Sequence, residues 1–268
     1  MGKVIIHIGM HKTGTSFLQK EVFPKLENTF YAHNNQFFVP WKEQLPINSD
    51  NMLLSYEGFS GFPWDNKQSR NNWLQSFDLN IKQLKKFFPD AIIIIFFRKH
   101  GDLITSLYKQ YLHEGGELCF NDFYGDNKII DKKDLNIKHR LDFIKDNFNK
   151  VYFLNYQSFL EIGTDYLRHF LNKELSLELH EAEKPNKTNV SVSGPKKEVL
   201  RHYNIIYNRL PRILKRVLVI LRLQPRKFVQ QKLAFWQAKD NDSFINLKEE
   251  INKEFENDWA YFVENQYK

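Results

Sequence analysis

Apolar runs and amphipathic segments alternate along the N-terminal part of this 268-residue chain. Four runs have the length and apolar character of β-strands, at 4–8, 51–56, 91–97 and 151–156. The third run, AIIIIFF, is apolar throughout, as is typical of a central parallel strand that is covered on both faces. Helical periodicity occupies segments between the runs, notably at 74–88, about 102–112 and 135–148. This alternation predicts an α/β protein with a three-layer, P-loop-like fold, in which helices flank a central, mainly parallel sheet.

The remaining segments predict loops and further helices. Residues 20–50 have weak periodicity and many turn-forming residues, and we interpret them as loop and short elements. Helices are predicted from about residue 195 and over 244–267, where apolar residues recur on one face. Because no repeat or low-complexity linker divides the chain, we expect one domain over 1–268, helical from about residue 200 onward.

The segment KVIIHIGMHKTGTSFLQ near the N-terminus combines a buried strand, a glycine-bounded loop and the start of a helix. In the ATP-binding P-loop, G-x-x-x-x-G-K-[ST], the lysine follows the second glycine and reaches the β- and γ-phosphates. Gly9, Gly14 and Ser16 fit this frame, but Thr15 takes the lysine position and the lysine of the loop is Lys12. The N–H groups of a helix N-terminus favour an anion. The loop therefore predicts a site for an anionic group other than a triphosphate.

Polar residues also follow the second and third apolar runs. Glu57 comes directly after 51–56, and Arg98 comes directly after 91–97, with Ser106 eight residues further on. Ligands of open α/β sheets bind beyond the carboxyl ends of the strands. Glu57 is therefore placed to meet what the loop holds, and Arg98 with Ser106 suits a second anion. Taken singly, Glu57 is equally compatible with a solvated loop or a helix cap, and Arg98 with an ordinary ion pair.

Together, the loop HKTGTS and the pattern R-x3-D-x3-S-x-Y that starts at Arg98 resemble the PAPS-dependent sulfotransferases, particularly their bacterial and Golgi-type carbohydrate branch. PAPS is 3′-phosphoadenosine 5′-phosphosulfate. The resemblance implies that the loop holds the 5′-phosphosulfate and that Arg98 and Ser106 hold the 3′-phosphate. The implied cofactor-binding residues are His11, Lys12, Thr13, Gly14, Thr15, Ser16, Arg98 and Ser106.

The resemblance also implies a reaction, in which the sulfuryl group of PAPS passes to an acceptor hydroxyl on a carbohydrate or glycolipid. Lys12 would stabilise charge on the leaving phosphate oxygen, and Glu57 would be the general base. Sulfuryl transfer requires no bridging metal ion. Gln157 stands where relatives often carry an acidic residue, and the residues that recognise adenine are not identifiable. A weaker likeness places Lys187, Asn189 and Ser191 over the cofactor, although that segment is equally compatible with a solvated loop.

Two other function classes compete with this hypothesis. A P-loop kinase that uses ATP predicts the lysine after the second glycine and a Mg²⁺-binding acid at a strand end, and neither is visible in the sequence. A noncatalytic protein that binds a nucleotide or an anionic glycan predicts that Glu57 is dispensable. The loop alone is also compatible with a plain strand-to-helix turn that needs small residues.

Charge and cysteine content limit the classes of ligand and the cellular compartment that suit this sequence. The net charge of +7 favours anionic ligands, but no nucleic-acid-binding motif accompanies it. With Cys119 as the single cysteine, no metal-ligand spacing, no export signal and no spanning apolar run, we expect a cytoplasmic protein. The basic amphipathic stretch 209–228 predicts either peripheral contact with the inner membrane surface or a surface helix or hairpin that covers the core. The sequence does not indicate whether the protein is a monomer or an oligomer.

Overall fold

The structure of this protein is a computed structural model that describes residues 2–33, 51–64, 72–179, 196–221, 223–225 and 242–268. These residues form two compact units. The first takes in the described residues of Met1–Arg98, Lys132–Asn186 and Glu256–Lys268, and the second takes in those of Lys99–Asp131 and Lys187–Phe255. The expected organisation as one domain stays a prediction.

The first unit is built on a five-stranded parallel sheet with the strand order β2-β3-β1-β4-β5. The strands are β1 (Lys3–Ile8), β2 (Thr29–His33), β3 (Asn51–Tyr56), β4 (Ile92–Phe97) and β5 (Lys150–Asn155). The predicted α/β fold with a parallel central sheet is thereby confirmed. Strand β2 lies in a segment for which the sequence predicted only loop and short elements. It is an edge strand with mostly half-buried side chains, so its apolar pattern is weak.

Helices complete both units. In chain order they are α1 (Thr15–Phe17), α2 (Trp73–Phe87), α3 (His100–His113), α4 (Phe120–Phe123), α5 (Ile137–Asn147), α6 (Tyr156–Ile162), α7 (Thr164–Phe170), α8 (Lys196–Arg209), α9 (Arg212–Ile220), α10 (Asp242–Glu254) and α11 (Glu256–Asn265). Short π-helical or 3₁₀ turns occupy Leu18–Val22, Phe23–Lys25, Glu57–Ser60, Lys132–Leu135 and Leu171–Leu175. The single helix predicted over 244–267 is two helices, which are separated at Phe255, the last residue of the second unit.

Burial follows the apolar pattern of the sequence. All six residues of β4 are buried, which agrees with its prediction as a strand covered on both faces. Helix α2 begins with a capping box between Asn72 and Gln75, and it buries Trp73, Phe77 and Ile81 at intervals of four residues. One stripe of this helix therefore packs into the core of the first unit.

The strand order also fixes where a ligand fits. After β1 the chain runs to β2, at one edge of the sheet, whereas after β4 it runs to β5, at the opposite edge. Adjacent strands whose connections run in opposite directions open a crevice at their carboxyl ends. The loop after β1 and Arg98 after β4 lie at this switch point.

The last helix of the chain is tied to the first unit through the N-terminus of α5. The Asp258 carboxylate accepts hydrogen bonds from the backbone N–H groups of Ile137 and Lys138, both at 2.8 Å. The Asn136 side chain accepts the next one, from His139, also at 2.8 Å. These acceptors satisfy N–H groups that a helix start leaves without intrahelical partners.

The second unit depends on a close approach of α3 and α10. A Cβ atom on Gly101 would collide with the backbone oxygen of Lys248, and the Gly101 N–H donates to Asn252 Oδ1 at 2.8 Å. Asp102 forms an ion pair with Lys248 at 2.7 Å. Helix α8 packs on the C-terminal end of α3, where the buried Asn204 amide donates to the Leu112 and Gly116 carbonyl oxygens.

We expect Asp258→Ala to lower the free energy of unfolding by about 1–2 kcal/mol, because two N–H groups at the start of α5 lose a charged acceptor. Glu264→Ala, on an exposed position of the same helix, is the matched control and should change it by less than about 0.5 kcal/mol. Urea unfolding measures both values. Equal effects of the two substitutions would contradict the role given to Asp258.

Candidate active site

The loop after β1 contains two left-handed backbone positions, Lys12 with a φ of 63° and Gly14 with a φ of 78°. Glycine adopts this conformation without steric cost, but a lysine does not. The strain at Lys12 is held in place by Arg98, whose Nη1 donates to the Lys12 carbonyl oxygen at 3.0 Å. The residue at the end of β4 thus sets the backbone of the loop after β1.

The two loop threonines shape the loop from inside. Thr13 Oγ1 donates to the Met10 carbonyl oxygen at 2.6 Å, and Thr15 Oγ1 lies 3.2 Å from the same oxygen. Both side chains are buried, and both hydroxyls are engaged within the loop itself. Ser16 is exposed at the first turn of α1.

The backbone N–H groups at the start of α1 are available to an anion. Those of Gly14, Thr15 and Ser16 donate to no protein acceptor in the part of the chain that the structure describes. The Gly14 carbonyl, in contrast, already accepts from Phe17 and Leu18 as the helix begins. This arrangement gives a group of N–H donors at a positive dipole end, which is suited to a phosphate or sulfate oxygen.

Gly9 brings the loop against the segment that follows β3. A Cβ atom on Gly9 would lie 2.7 Å from Thr15 Cγ2 and 3.1 Å from Glu57 Cα. The first distance is shorter than a real Cβ contact and the second is tighter than most, so a side chain at this position would force Thr15 or Glu57 to shift. As a result, the backbone of Glu57 lies directly beside the end of β1 and the start of the loop.

Three hydrogen bonds hold these two segments together. The Gly9 N–H donates to the Tyr56 carbonyl at 3.2 Å, and Ser60 Oγ lies 3.1 Å from the Gly9 carbonyl oxygen. His11 Nε2 lies 2.8 Å from the Gly61 carbonyl oxygen. One main-chain hydrogen bond and two from the Ser60 and His11 side chains thus hold the segment that carries Glu57 against the loop.

His11 is buried and neutral. Burial lowers its pKa from 6.5 to about 4, and the positive charges of Lys12 and Arg140 act in the same direction, while the hydrogen bond to Gly61 opposes them. A carbonyl oxygen can only accept, so Nε2 carries the hydrogen and Nδ1 is an acceptor. Nδ1 lies 3.7 Å from Glu57 Oε2. The half-exposed carboxylate of Glu57 therefore lies beside a neutral imidazole.

Arg140 is a buried cation behind His11 that the sequence did not reveal. Its guanidinium stacks on Trp73 at 4.9 Å and on Phe77 at 5.2 Å, and Trp73 in turn donates to the Ser60 carbonyl. Among the described residues, its Nε and Nη2 find no hydrogen-bond partner. Burial lowers the pKa of Arg140 to about 10, partly offset by three aspartates. In the sequence, Arg140 is an ordinary arginine of an amphipathic helix.

The residues predicted to bind the cofactor fall into two groups. His11, Lys12, Thr13, Gly14, Thr15 and Ser16 lie in one loop of the first unit, with Glu57 and Arg98 in contact with that loop. Arg98 also stacks on the Tyr156 ring at 5.3 Å. Ser106 is a half-buried residue of α3 in the second unit, so its convergence with Arg98 stays a prediction. Lys187, Asn189 and Ser191 lie outside the described residues.

The other residues of the R-x3-D-x3-S-x-Y pattern have structural contacts within the second unit. Asp102 is paired with Lys248, as noted above, and Tyr108 is buried with its hydroxyl 3.2 Å from the Leu118 carbonyl. Gln157 is exposed in the first turn of α6, which Asn155 caps, and its side chain donates to Glu161 at 2.9 Å. None of these contacts involves the loop after β1.

Two buried histidines should make the stability of the protein depend on pH. Burial lowers the pKa of His7, in the middle of β1, to about 3, and that of His11 to about 4. The unfolded chain binds these protons below pH 6.5, whereas the folded chain does not. The free energy of unfolding should therefore fall as the pH drops below 6.5, by up to about 1.4 kcal/mol per pH unit for each histidine.

Urea unfolding between pH 5 and pH 7 measures this slope. His11→Gln should reduce the slope by about one proton, because glutamine can keep the hydrogen bond to Gly61 but does not titrate. A slope that His11→Gln does not alter would show that His11 is protonated in the folded protein.

The known proteins that were compared with this chain share little sequence with it. No protein-family profile matches the chain, and no curated protein matches it. Among solved structures, the chain is similar to a crystal structure of a sulfotransferase from Alicyclobacillus acidocaldarius, with 12% sequence identity and a TM-score of 0.47. That match covers 77% of this chain and 93% of the other.

Proposed function

We propose that this protein is a sulfotransferase that transfers the sulfuryl group of PAPS to an acceptor hydroxyl. The observation that carries the proposal is the contact between an anion-binding loop and a carboxylate. A Cβ on Gly9 would lie 3.1 Å from Glu57 Cα, and Glu57 Oε2 lies 3.7 Å from His11 Nδ1 in the loop. A donor's anionic group and a general base can thus meet at one place.

The donor side suits a phosphosulfate better than a triphosphate. The loop offers backbone N–H donors at the start of α1 but carries Thr15 where an ATP-binding loop carries its lysine. The cation of the loop comes instead from Lys12, whose backbone is held by Arg98. PAPS has no γ-phosphate to reach. Its 3′-phosphate provides a second anion, for which Arg98 is the candidate partner in the first unit.

The proposed reaction follows from these positions. The acceptor oxygen attacks the sulfur atom in line with the leaving group, and the bond between sulfur and the bridging phosphate oxygen breaks. Adenosine 3′,5′-bisphosphate leaves, and Lys12 stabilises the charge that develops on its phosphate. The hydroxyl proton passes to Glu57.

His11 supports the role of Glu57 as a base. Its Nδ1 is an acceptor that lies 3.7 Å from Glu57 Oε2. A small approach of these two atoms would let the protonated carboxyl donate a hydrogen bond to Nδ1. His11 is therefore a positioning residue in this proposal, and its imidazole lies on the acceptor side of the loop.

A carbohydrate or glycolipid acceptor fits the surroundings of Glu57. Phe62 is exposed on the segment after β3, with its ring centroid 5.9 Å from that of His11. An exposed aromatic ring beside a polar catalytic group suits the apolar face of a sugar ring and its hydroxyls. We propose this acceptor class together with PAPS as co-substrate, without a metal ion.

Incubation with radiolabelled PAPS and fractionated cell-surface glycans tests the function. We expect wild-type protein to label a glycan fraction, and Glu57→Gln to slow labelling by about a hundred- to ten-thousand-fold, because the acceptor proton loses its base. Lys12→Asn should also slow it, since asparagine tolerates the left-handed backbone but carries no charge.

The control is Glu161→Gln, at an exposed glutamate of α6, which should label glycans at the wild-type rate. Binding of adenosine 3′,5′-bisphosphate should survive Glu57→Gln, which separates loss of the base from loss of the fold. Transfer that is unaffected by Glu57→Gln would contradict the assigned base. Binding without any transfer would favour a noncatalytic nucleotide-binding protein.

A further inference from the structure

Helix α9 presents its apolar side chains to solvent. None of its nine residues is buried. Ile213 and Ile220 are 75% and 79% exposed, and Leu221, directly after the helix, is 58% exposed. An ordinary surface helix turns such residues toward the core. The expectation that the stretch 209–228 covers the core is therefore not met by its described helix.

Five of the six exposed apolar residues at 213–221 form one continuous face. Ile213, Val217 and Ile220 are spaced i, i+4 and i+7, which places them on one side of a helix, and Leu214 and Leu221 continue the same face. We call these five residues the apolar face of α9. Its members are all large and aliphatic, and none is replaced by a polar side chain.

The opposite side of α9 attaches it to the second unit. Lys215 and Leu218 are the helix residues that are only half-exposed. Lys215 Nζ donates to the Asn208 carbonyl oxygen at 2.8 Å and lies 5.8 Å from the centroid of the Tyr207 ring. Lys215 and Leu218 thus turn toward the protein, whereas Ile213 and Ile220 face outward.

Basic residues border the apolar face. Arg212 and Arg216 are exposed on α9, and Arg209 ends the preceding helix. The sequence contains no aspartate or glutamate between Glu198 and Asp240, so no acidic residue within this stretch reduces the positive charge. An aliphatic face with arginines at its edge is complementary to lipid acyl chains beneath anionic headgroups.

The length of α9 decides between lying on a bilayer and crossing it. Nine residues of α-helix extend about 13 Å, less than half of the roughly 30 Å of a hydrocarbon core. Within the described ranges, no helix of the protein is long and apolar enough to cross a membrane. Helix α9 therefore has the dimensions of an interfacial helix.

We propose that α9 is an interfacial anchor that binds the surface of an anionic membrane, with its apolar face among the acyl chains and its arginines at the headgroups. A second copy of this chain fits the face less well. A two-fold contact through α9 would place Arg212 and Arg216 near their own copies, in a protein that already carries a net charge of +7. The inference does not depend on the proposed sulfuryl transfer.

Sedimentation of the full-length protein with lipid vesicles tests the anchor. We expect binding to vesicles of phosphatidylglycerol and phosphatidylcholine, and at least tenfold weaker binding to vesicles of phosphatidylcholine alone. Ile213→Asp combined with Ile220→Asp should weaken binding to the anionic vesicles by at least tenfold, because charges cannot enter the acyl region. Arg212→Gln with Arg216→Gln should weaken it by about tenfold and reduce its salt dependence.

Ile162→Asp is the matched control, because Ile162 is a 58% exposed isoleucine in the first unit. It should bind the vesicles like wild type, and circular dichroism should show the same fold for every variant. Equal binding to both vesicle types, or anionic binding that survives the changes at 213 and 220, would overturn the proposal. A dimer in solution that Ile213→Asp dissociates, without vesicle binding, would assign the face to a second copy instead.

Discussion

The close approach of Gly9 to Glu57 is the constraint on which the candidate site depends. Parallel pairing of β1 with β3 brings the two strand ends side by side, and the absence of a side chain at Gly9 lets their following segments touch. Main-chain hydrogen bonds from Gly9 and the His11 contact to Gly61 then hold the loop and the carboxylate in one frame. The chemistry thus rests on backbone geometry that the sheet itself imposes.

Two arginines place positive charge around the loop after β1, with Arg98 in contact with the loop and Arg140 buried behind it. Arg98, at the end of β4, donates to the carbonyl oxygen of Lys12, whose backbone is left-handed. The residue predicted to bind the 3′-phosphate therefore also supports the loop predicted to bind the 5′-phosphosulfate. Behind the loop, burial lowers the pKa of His11 and keeps it neutral, and the charge of buried Arg140 acts in the same direction. A ligand that carries two separated anions would engage both parts of this arrangement at once, which is a property of PAPS and not of ATP.

Sequence patterns predicted the elements whose side chains are all buried. They missed the features that depend on contacts with residues distant in the sequence. The strand β4 was predictable because all of its side chains are buried, whereas the edge strand β2 has no such signal. The glycine and lysine spacing predicted an anion loop, and the order of residues after β3 predicted Glu57 beside it. Arg140 was not predictable, since a helical arginine becomes buried only through its aromatic neighbours. An amphipathic pattern like that of α9 does not say which side faces the protein, so the outward apolar face required the structure.

The most direct test of this account is a calorimetric comparison of two nucleotides, adenosine 3′,5′-bisphosphate and ATP. The account predicts that the bisphosphate binds about a hundredfold more tightly, because a 3′-phosphate gains charge-assisted hydrogen bonds and a γ-phosphate meets no lysine after the second glycine. Equal affinities, or tighter binding of ATP in the presence of Mg²⁺, would contradict the assignment of the loop to a phosphosulfate donor.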